Sequence, residues 1–265
     1  MEYVQLTNVQ VALVAALIAI NGAISVALKL QLEKTLLIAS LRTIVQLSIV
    51  GMCLQWVFTA AQWYVVLLLM SVMTMTAGYT AVQQTKRRHV GVWVDTLISV
   101  WASSWLVTGL VLIIVLERAT EWYRPQYVIP LLGMVLGNTL NGISLGLNSL
   151  GETVISRRDH IEGLLALGAT RWEAARDSVQ QAVRTGMIPI VNSMMIVGIV
   201  SLPGMMTGQL LAGADPTDAV KYQIVVMFLI ASATALGTIL VVLLAYRRLF
   251  NAQHQFRYDL LKSDK

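Results

Sequence analysis

Long apolar stretches are the feature that most limits what this chain can fold into. Seven segments of 20 to 26 residues are apolar enough to cross a bilayer whose hydrocarbon core is about 30 Å thick. They cover residues 8–28, 35–58, 63–82, 96–116, 127–149, 186–211 and 221–246. Only 12% of the residues are charged, against about 25% in an ordinary soluble domain. The sequence therefore predicts an all-α, polytopic membrane protein with about seven transmembrane helices, formed as a single domain over residues 1–265.

Basic residues are distributed unevenly between the two sides of this predicted bundle. Of the 19 Lys and Arg residues, 15 fall in one alternating set of connections and the tail, while only Arg118, Arg124 and Lys221 fall in the other set. Because cytoplasmic loops carry the excess of Lys and Arg, we expect an external N-terminus and a cytoplasmic C-terminus. The same distribution explains the net charge of +5, so we expect contact with membrane lipid and no nucleic-acid partner.

Ionisable groups are nearly absent from the predicted spans. Arg42 is the only charged residue well inside them, and all three histidines fall in connections or the tail. Ion-coupled transporters usually place carboxylates or histidines at depth. The sequence also contains no GxxxxGK[ST] phosphate loop. We therefore predict no enzyme activity and no bound cofactor, and we expect any transport to be passive or driven by a motor on another chain.

The second predicted span carries Arg42 and, four residues later on the same helix face, Gln46. Arg42 lies one or two turns from the predicted cytoplasmic face, so its side chain can snorkel to the interface. Alternatively, the two residues form part of a polar inner cavity.

The fifth predicted span differs from its neighbours because small residues and amides share one of its faces. Its GxxxG spacings, at Gly133/Gly137 and Gly142/Gly146, allow close helix approach. The opposite stripe, which we expect to face lipid, consists of Leu132, Leu136, Leu140, Ile143, Leu147 and Leu150. The polar face either packs against other helices or lines a polar path. Its candidate path residues are Asn138, Asn141, Ser144 and Asn148.

The sixth predicted span is rich in methionine and is interrupted near its outer end by Pro203-Gly204. Proline removes a backbone donor, which a membrane helix tolerates where neighbours or water satisfy the freed carbonyls. Methionine clusters are usually adaptable packing, and a soft-metal thioether site is the alternative. We include Met194, Met195, Pro203, Met205 and Met206 among the candidate path residues and assign no metal ligands.

Residues 150–185 form a long polar connection that we expect to be cytoplasmic. Two short amphipathic helices are predicted around a turn at Gly168, Ala169 and Thr170, in which Gly ends one helix and Thr caps the next. Glu173 completes a capping-box pattern with Thr170. Such a hairpin can lie on the membrane surface. Alternatively, Leu164, Leu165, Leu167 and Trp172 can dock into a groove on a partner protein.

Glu162, followed six residues later by Gly168, resembles the coupling loop of ABC-transporter permeases. Over nearly its whole length the chain also resembles the Fet-type family of iron-export ABC permeases, which includes plant aluminium-tolerance relatives. The segments that carry this resemblance are residues 42–47, 133–138, 167–170, 200–208, 212–216 and 221–224.

The resemblance implies a permease subunit, present as a homodimer, that works with a separate cytoplasmic ABC ATPase. ATP and Mg would then bind to that partner, and Glu162, Leu164, Leu165, Gly168, Ala169, Thr170 and Trp172 would couple the two. It further implies iron export, or export of another metal-related solute, across the bacterial inner membrane. A passive channel or an ion-coupled carrier for a small solute is the alternative, and a scaffold or sensor without transport is a third hypothesis.

Overall fold

The computed structural model describes residues 7–60, 62–115, 124–251 and 253–263. Leu116, the predicted end of the fourth span, and Arg118 lie outside these residues. The elements in chain order are α1 (Asn8–Ala27), α2 (Glu33–Ala60), α3 (Trp63–Gln83), β1 (Arg87–His89), α4 (Val92–Val115), α5 (Pro125–Ser156), α6 (Arg158–Ala166), α7 (Arg171–Ile196), α8 (Gly204–Leu211), α9 (Pro216–Leu249), a 3₁₀ turn (Tyr258–Leu260) and β2 (Leu261–Ser263).

Six of the described helices, α1 to α5 and α9, are long and apolar enough to cross a membrane. The predicted all-α, polytopic membrane protein is therefore confirmed. Strand structure in the described chain is confined to the short antiparallel pair of β1 and β2 and two isolated bridges.

The first of two compact units contains α1, α2 and Leu211–Gly213. Its helices are joined at a turn where the Ser25 hydroxyl donates to Glu33 Oε2 and accepts from the Leu32 N–H, both at 3.0 Å. Most apolar side chains of α1 and α2 are exposed, including Leu13, Leu17, Leu37 and Leu41. Apolar surface of this extent is stable in lipid and not in water.

The second unit, which holds the remaining elements, is built around α5. This helix packs against α3, α4, α7 and α9, and α9 packs in turn against α4 and α7. The prediction that the leucine stripe of α5 faces lipid is wrong. Leu132, Leu136, Ile143, Leu147 and Leu150 are buried in the core, and Leu140 is half-buried. Because α3, α4, α7 and α9 surround α5, these apolar side chains pack against neighbouring helices and not against lipid.

The sixth predicted span is not one helix. The helix α7 begins at Arg171, within the predicted cytoplasmic connection, and continues without a break to Ile196. A seven-residue interruption follows, with a bridge from Val197 to Ser201 and a positive φ of 82° at Gly198, before α8 begins at Gly204. The predicted interruption at Pro203-Gly204 is confirmed, but it starts six residues earlier, and the second hairpin helix is not short.

The start of α9 is determined by an N-capping aspartate and by the proline that follows it. Asp215 caps the helix by accepting hydrogen bonds from the N–H groups of Thr217 (2.8 Å) and Asp218 (3.3 Å), and Pro216 is the first helical residue. Asp218 adds an acidic side chain in the first turn, where it complements the helix dipole.

Candidate functional site

The amide-bearing face of α5 is the part of this central helix that the other helices of the second unit leave open. Asn141 and Leu145 are exposed there, and Asn138 is half-buried, with its side-chain N–H groups donating to the carbonyl of Met134 at 2.9 Å. A Cβ added at Gly137 would meet no atom of the described residues within 4 Å. Two of the four predicted path residues on α5 therefore lie on an open, uncharged polar face.

The other two path residues of α5 hold the connection between α3 and β1. The Asn148 amide donates to the carbonyl of Gln84 (3.1 Å), and its oxygen accepts from the N–H of Lys86 (2.7 Å). The buried Ser144 hydroxyl donates to the side-chain oxygen of Gln84 at 3.1 Å. Asn148 and Ser144 therefore attach the connection between α3 and β1 to α5.

Close helix approach occurs at one of the two GxxxG pairs. A Cβ on Gly142 would lie 2.6 Å from the Thr234 methyl and 3.2 Å from the carbonyl oxygen of Gly186, so α5, α7 and α9 nearly touch here. Gly146 is similarly tight against Thr238. At the other pair, Gly133 meets only the flexible end of Met73, at 3.3 Å. The hypothesis of close approach is therefore confirmed for Gly142/Gly146.

Arg42 and Gln46 are exposed on α2 in the first unit. Their four-residue spacing places them on the same helix face, as the sequence indicates. Both roles inferred for them, snorkelling or lining a cavity, stay predictions.

The methionines of the sixth predicted span separate into three environments. Met194 and Met206, joined by Met227 of α9, line a cavity of about 410 Å³ at the break between α7 and α8. Met205 packs instead against the buried core of the second unit, while Met195 is exposed. Pro203 is half-buried at the end of the break.

A column of buried hydroxyls on α4 is a feature that the sequence reasoning missed. Thr96, Ser99, Ser103 and Thr108 lie in the core, and Ser99 and Ser103 donate to the carbonyls four residues before them. A Cβ on Gly237 of α9 would lie 2.8 Å from the Ser103 hydroxyl, so these small residues let α9 approach closely. The spacing of three and four residues from Thr96 to Ser99 and Ser103, which places them on one side of α4, was the signal that the sequence offered.

A buried ion pair was also missed. Asp95, in the first turn of α4, is 2% exposed and accepts from Arg248 at both oxygens, at 2.5 and 2.7 Å, and contacts His89 Nε2 at 2.8 Å. Burial lowers the pKa of His89 below its ordinary value of 6.5, and its hydrogen bond to Asp95 opposes this shift. Gly91, at a φ of +92°, lies so close to the Arg248 guanidinium that a side chain would collide with it. The pair joins α4 to the end of α9.

The hairpin formed by α6 and the start of α7 has the predicted turn. Gly168 has a φ of +91°, and the Thr170 hydroxyl accepts from the N–H of Glu173 at 3.3 Å, whose carboxylate accepts from the N–H of Thr170 at 2.7 Å. Hydrogen bonds from Thr170 lower the pKa of Glu173. At the tip, Leu167 is 87% exposed. The capping box is confirmed.

The remaining coupling candidates lie around this tip in different degrees of exposure. Glu162 pairs with Arg158 at 2.8 Å on the partly exposed surface of α6. Leu164, Leu165 and Ala169 are half-buried, and Trp172 is exposed with its ring edge-on to Tyr246 of α9. The turn, Leu167 and Trp172 therefore form an accessible surface with an apolar centre.

The C-terminal tail braces the hairpin from behind. The Arg158 guanidinium lies 3.6 Å from the ring centre of Tyr258, and the Arg171 N–H donates to His254 Nδ1 at 2.9 Å. The Arg171 guanidinium also donates to the carbonyl of Asn251 at 3.2 Å. Further along, the tail forms β2, which pairs with β1. Hairpin, tail and the α3–α4 connection are thus joined at one end of the second unit.

Comparison with known proteins places the chain in a family. The model of the uncharacterised protein family UPF0014 matches residues 8–250. Similar proteins include UPF0014 membrane protein slr1647 of Synechocystis, 42% identical over 85% of this chain and 86% of its own. Probable iron export permease protein FetB of Escherichia coli is 35% identical over 97% of both chains. Protein ALUMINUM SENSITIVE 3 of Arabidopsis thaliana is 31% identical over 96% of this chain and 90% of its own.

No solved structure matches the chain. The family model and the relatives cover nearly all of it, including the open face of α5, the broken span and the hairpin. The resemblance drawn from the sequence is confirmed: the chain is an integral membrane protein and belongs to the UPF0014 family.

Proposed function

We propose that this chain is the transmembrane permease subunit of an ABC transporter that exports iron, or another metal or metal-related solute. The observation that carries the proposal is the similarity to FetB, which is named a probable iron export permease and aligns over 97% of both chains. The alignment includes the hairpin, the broken span and the open face of α5, on which the steps below rely.

The hairpin supports a separate ATPase as the motor. Leu167 and Trp172 both expose apolar side chains on a capped and braced turn, and an apolar patch presented in this way suits a hydrophobic groove on a partner. We place the cytoplasmic ATPase, with its ATP and Mg, against the tip formed by Leu167, Gly168 and Trp172. Glu162 would hold Arg158, and through it the tail, in position.

One continuous helix supports the transmission of movement. The 26 residues of α7 reach roughly 39 Å at 1.5 Å per residue, from the hairpin at Arg171 to the break after Ile196. Midway, Gly186 touches α5 at Gly142. A push on the hairpin would therefore shift α7 against α5 and act on the broken segment at its far end.

The open face of α5 is the best candidate for the solute path. Asn138 and Asn141 offer uncharged hydrogen-bonding groups there, and Gly137 leaves space beside them. We propose that two copies of the chain place these faces opposite each other, so that the path runs between them. Amides suit a solute rich in hydrogen-bonding groups, such as a chelated metal.

The proposed membrane is the bacterial inner membrane, with the N-terminus outside and the hairpin and C-terminus in the cytoplasm. The uneven distribution of Lys and Arg supports this orientation.

Inside-out membrane vesicles test the function directly. Vesicles that contain this chain and the ATPase that co-purifies with it should accumulate radioactive iron when ATP is added, and vesicles that lack either subunit should not. Iron movement through the purified chain alone, without ATP, would contradict the proposal and favour a passive channel. If ATP-dependent accumulation occurs for another metal but not for iron, the permease assignment holds and the iron assignment is wrong.

A further inference from the structure

The cavity at the broken span has the size and lining of a binding site for a small organic molecule. Its volume of about 410 Å³ lies within the usual range for such sites. It is bounded by the end of α7, the break, α8 and the first turns of α9. Met194, Met206 and Met227 line it, and unbranched thioether side chains adapt to the shape of a ligand.

Gln223 gives this cavity a specific polar group. The side chain belongs to the cavity lining, is 6% exposed, and its Oε1 has no hydrogen-bond partner among the described residues. A buried acceptor without a donor is unfavourable, so natural proteins almost always satisfy such groups. The oxygen is closed to water in this side-chain conformation, so a ligand that donates an O–H or N–H would satisfy it once the Gln223 side chain turns toward the cavity.

The remaining lining restricts the ligand further. All the lining residues are uncharged, so an ion would lose its hydration without gaining a partner of opposite charge. Ile224 and Phe228, on the same side of α9, are exposed on a helix long and apolar enough to span a membrane. A ligand with an apolar body can therefore enter along this side.

We propose that this cavity binds an uncharged amphiphile whose hydroxyl or amide N–H donates to Gln223 Oε1 and whose apolar part packs among the three methionines. The site requires only the chain itself and does not depend on the proposed transport function. The ligand class covers both a neutral lipid of the membrane and a small neutral molecule dissolved in water.

Photolabelling of the full chain in lipid nanodiscs tests the proposal. The probes are a diazirine-bearing 1-octanol and the matching diazirine-bearing octane, which lacks only the hydroxyl. Octanol should label residues 194–206 and 220–228 saturably. Gln223→Leu should weaken the apparent affinity for octanol about tenfold, which is the value of one hydrogen bond, and leave labelling by octane unchanged.

Gln209→Leu is the matched control, because Gln209 Oε1 is also buried without a partner among the described residues but lies outside the cavity lining. It should leave octanol labelling unchanged. Labelling by octane reports whether each variant retains the cavity, so a misfolded variant is recognised. Equal octanol labelling in Gln223→Leu and the parent chain would overturn the proposal, as would labelling that does not saturate.

Competitors identify the source of the ligand. Displacement of octanol by a monoacylglycerol in the bilayer supports a lipid, and displacement by phenol from water supports a soluble molecule. Displacement by neither would overturn the proposal. Stoichiometric binding of Ag⁺ that is lost in Met194→Leu/Met206→Leu, without octanol binding, would also overturn it and assign the cavity to a soft metal.

Discussion

At the scale of single residues, Asp95 shows how a membrane protein holds a buried charge. Its two oxygens accept from Arg248, His89 contacts one of them, and Gly91 leaves room for the guanidinium. A carboxylate at 2% exposure would be strongly unfavourable without these partners. The group therefore fixes the first turn of α4 to the last turn of α9.

Asp95→Asn should destabilise the protein by about 3 kcal/mol, at the lower end of the range for a broken buried pair, because Arg248 is 41% exposed and can be partly hydrated. Thermal unfolding of the purified protein in detergent measures the change. Asp218→Asn, which removes an exposed pair with Lys221 and an acidic group in the first turn of α9, is the control and should change stability by less than about 1 kcal/mol. Equal effects of the two substitutions would contradict the structural role of Asp95.

The stability of the protein should fall as the pH drops below about 6.5. Because burial holds the pKa of His89 below its ordinary value, the unfolded chain binds a proton at a higher pH than the folded chain. The stabilisation is thus complete above the unfolded pKa and is lost as the pH falls toward the folded one. Melting temperatures between pH 5 and 8 measure this loss. His89→Gln should reduce the slope, and His160→Gln, at an exposed position, should retain it.

At the scale of helices, the contact of Gly142 with α7 and α9 determines how closely the second unit packs. Gly142→Ala should destabilise it by about 1–3 kcal/mol, because the new methyl group would lie 2.6 Å from the Thr234 methyl. Gly137→Ala on the same helix is the control. Its Cβ enters open space, so the substitution should be neutral or stabilise the helix by up to about 1 kcal/mol. The melting temperature of Gly142→Ala should be lower than that of Gly137→Ala, and the reverse order would contradict the close contact at Gly142.

The proposed contact between the hairpin and the ATPase can be tested at Leu167. Leu167→Ser should reduce co-purification of the ATPase at least tenfold, because it removes the exposed apolar centre of the proposed contact, and it should leave folding unchanged. Val90→Ser changes an exposed apolar residue in the connection between β1 and α4 and is the control. If both variants retain the ATPase equally, Leu167 is not part of the contact.

Helix caps could be predicted from neighbouring residues, whereas the buried faces and the breaks of helices could not. The cap at Thr170 depends on Glu173, three positions later, and the sequence predicts it. The prediction for the leucine stripe of α5 is wrong because an apolar stripe has the same sequence pattern whether it faces lipid or other helices. Leu132 and Ile143 prove to be core residues. The seven-residue break between α7 and α8 contains Gly198 at positive φ, and the proline that marks the break in the sequence, Pro203, lies only at its far end.

The candidate site was only partly predictable for a related reason. Asn138 and Asn141 lie on the open face as the path hypothesis requires, while Ser144 and Asn148 bind the α3–β1 connection. Gln84 and Lys86, their partners, lie about 60 residues away in the sequence. Contacts across such distances arise from tertiary packing, which spacing along one helix does not encode.

At the scale of the whole molecule, the orientation is the property most open to test. In a Cys53→Ser background, which removes the only cysteine in the sequence, Ala214→Cys should react with a membrane-impermeant maleimide in intact spheroplasts. Asp159→Cys should react only after permeabilisation. Both positions are exposed, so accessibility to solvent within the chain is matched. The reverse pattern would invert the proposed topology.

The position of Arg248 in the sequence also determines when, during synthesis, the Asp95 carboxylate can form its ion pair. Arg248 follows Asp95 by 153 residues, and β2, which pairs with the strand that bears His89, comes later still. At about 5–20 residues per second, the ribosome delivers the guanidinium about 8–30 s after the carboxylate. Through that interval the acid at the start of α4 lacks its guanidinium partner. We therefore expect this end of α4 to stay hydrated until α9 has been made, because α9 brings both the guanidinium and the helix face that packs against α4, α5 and α7.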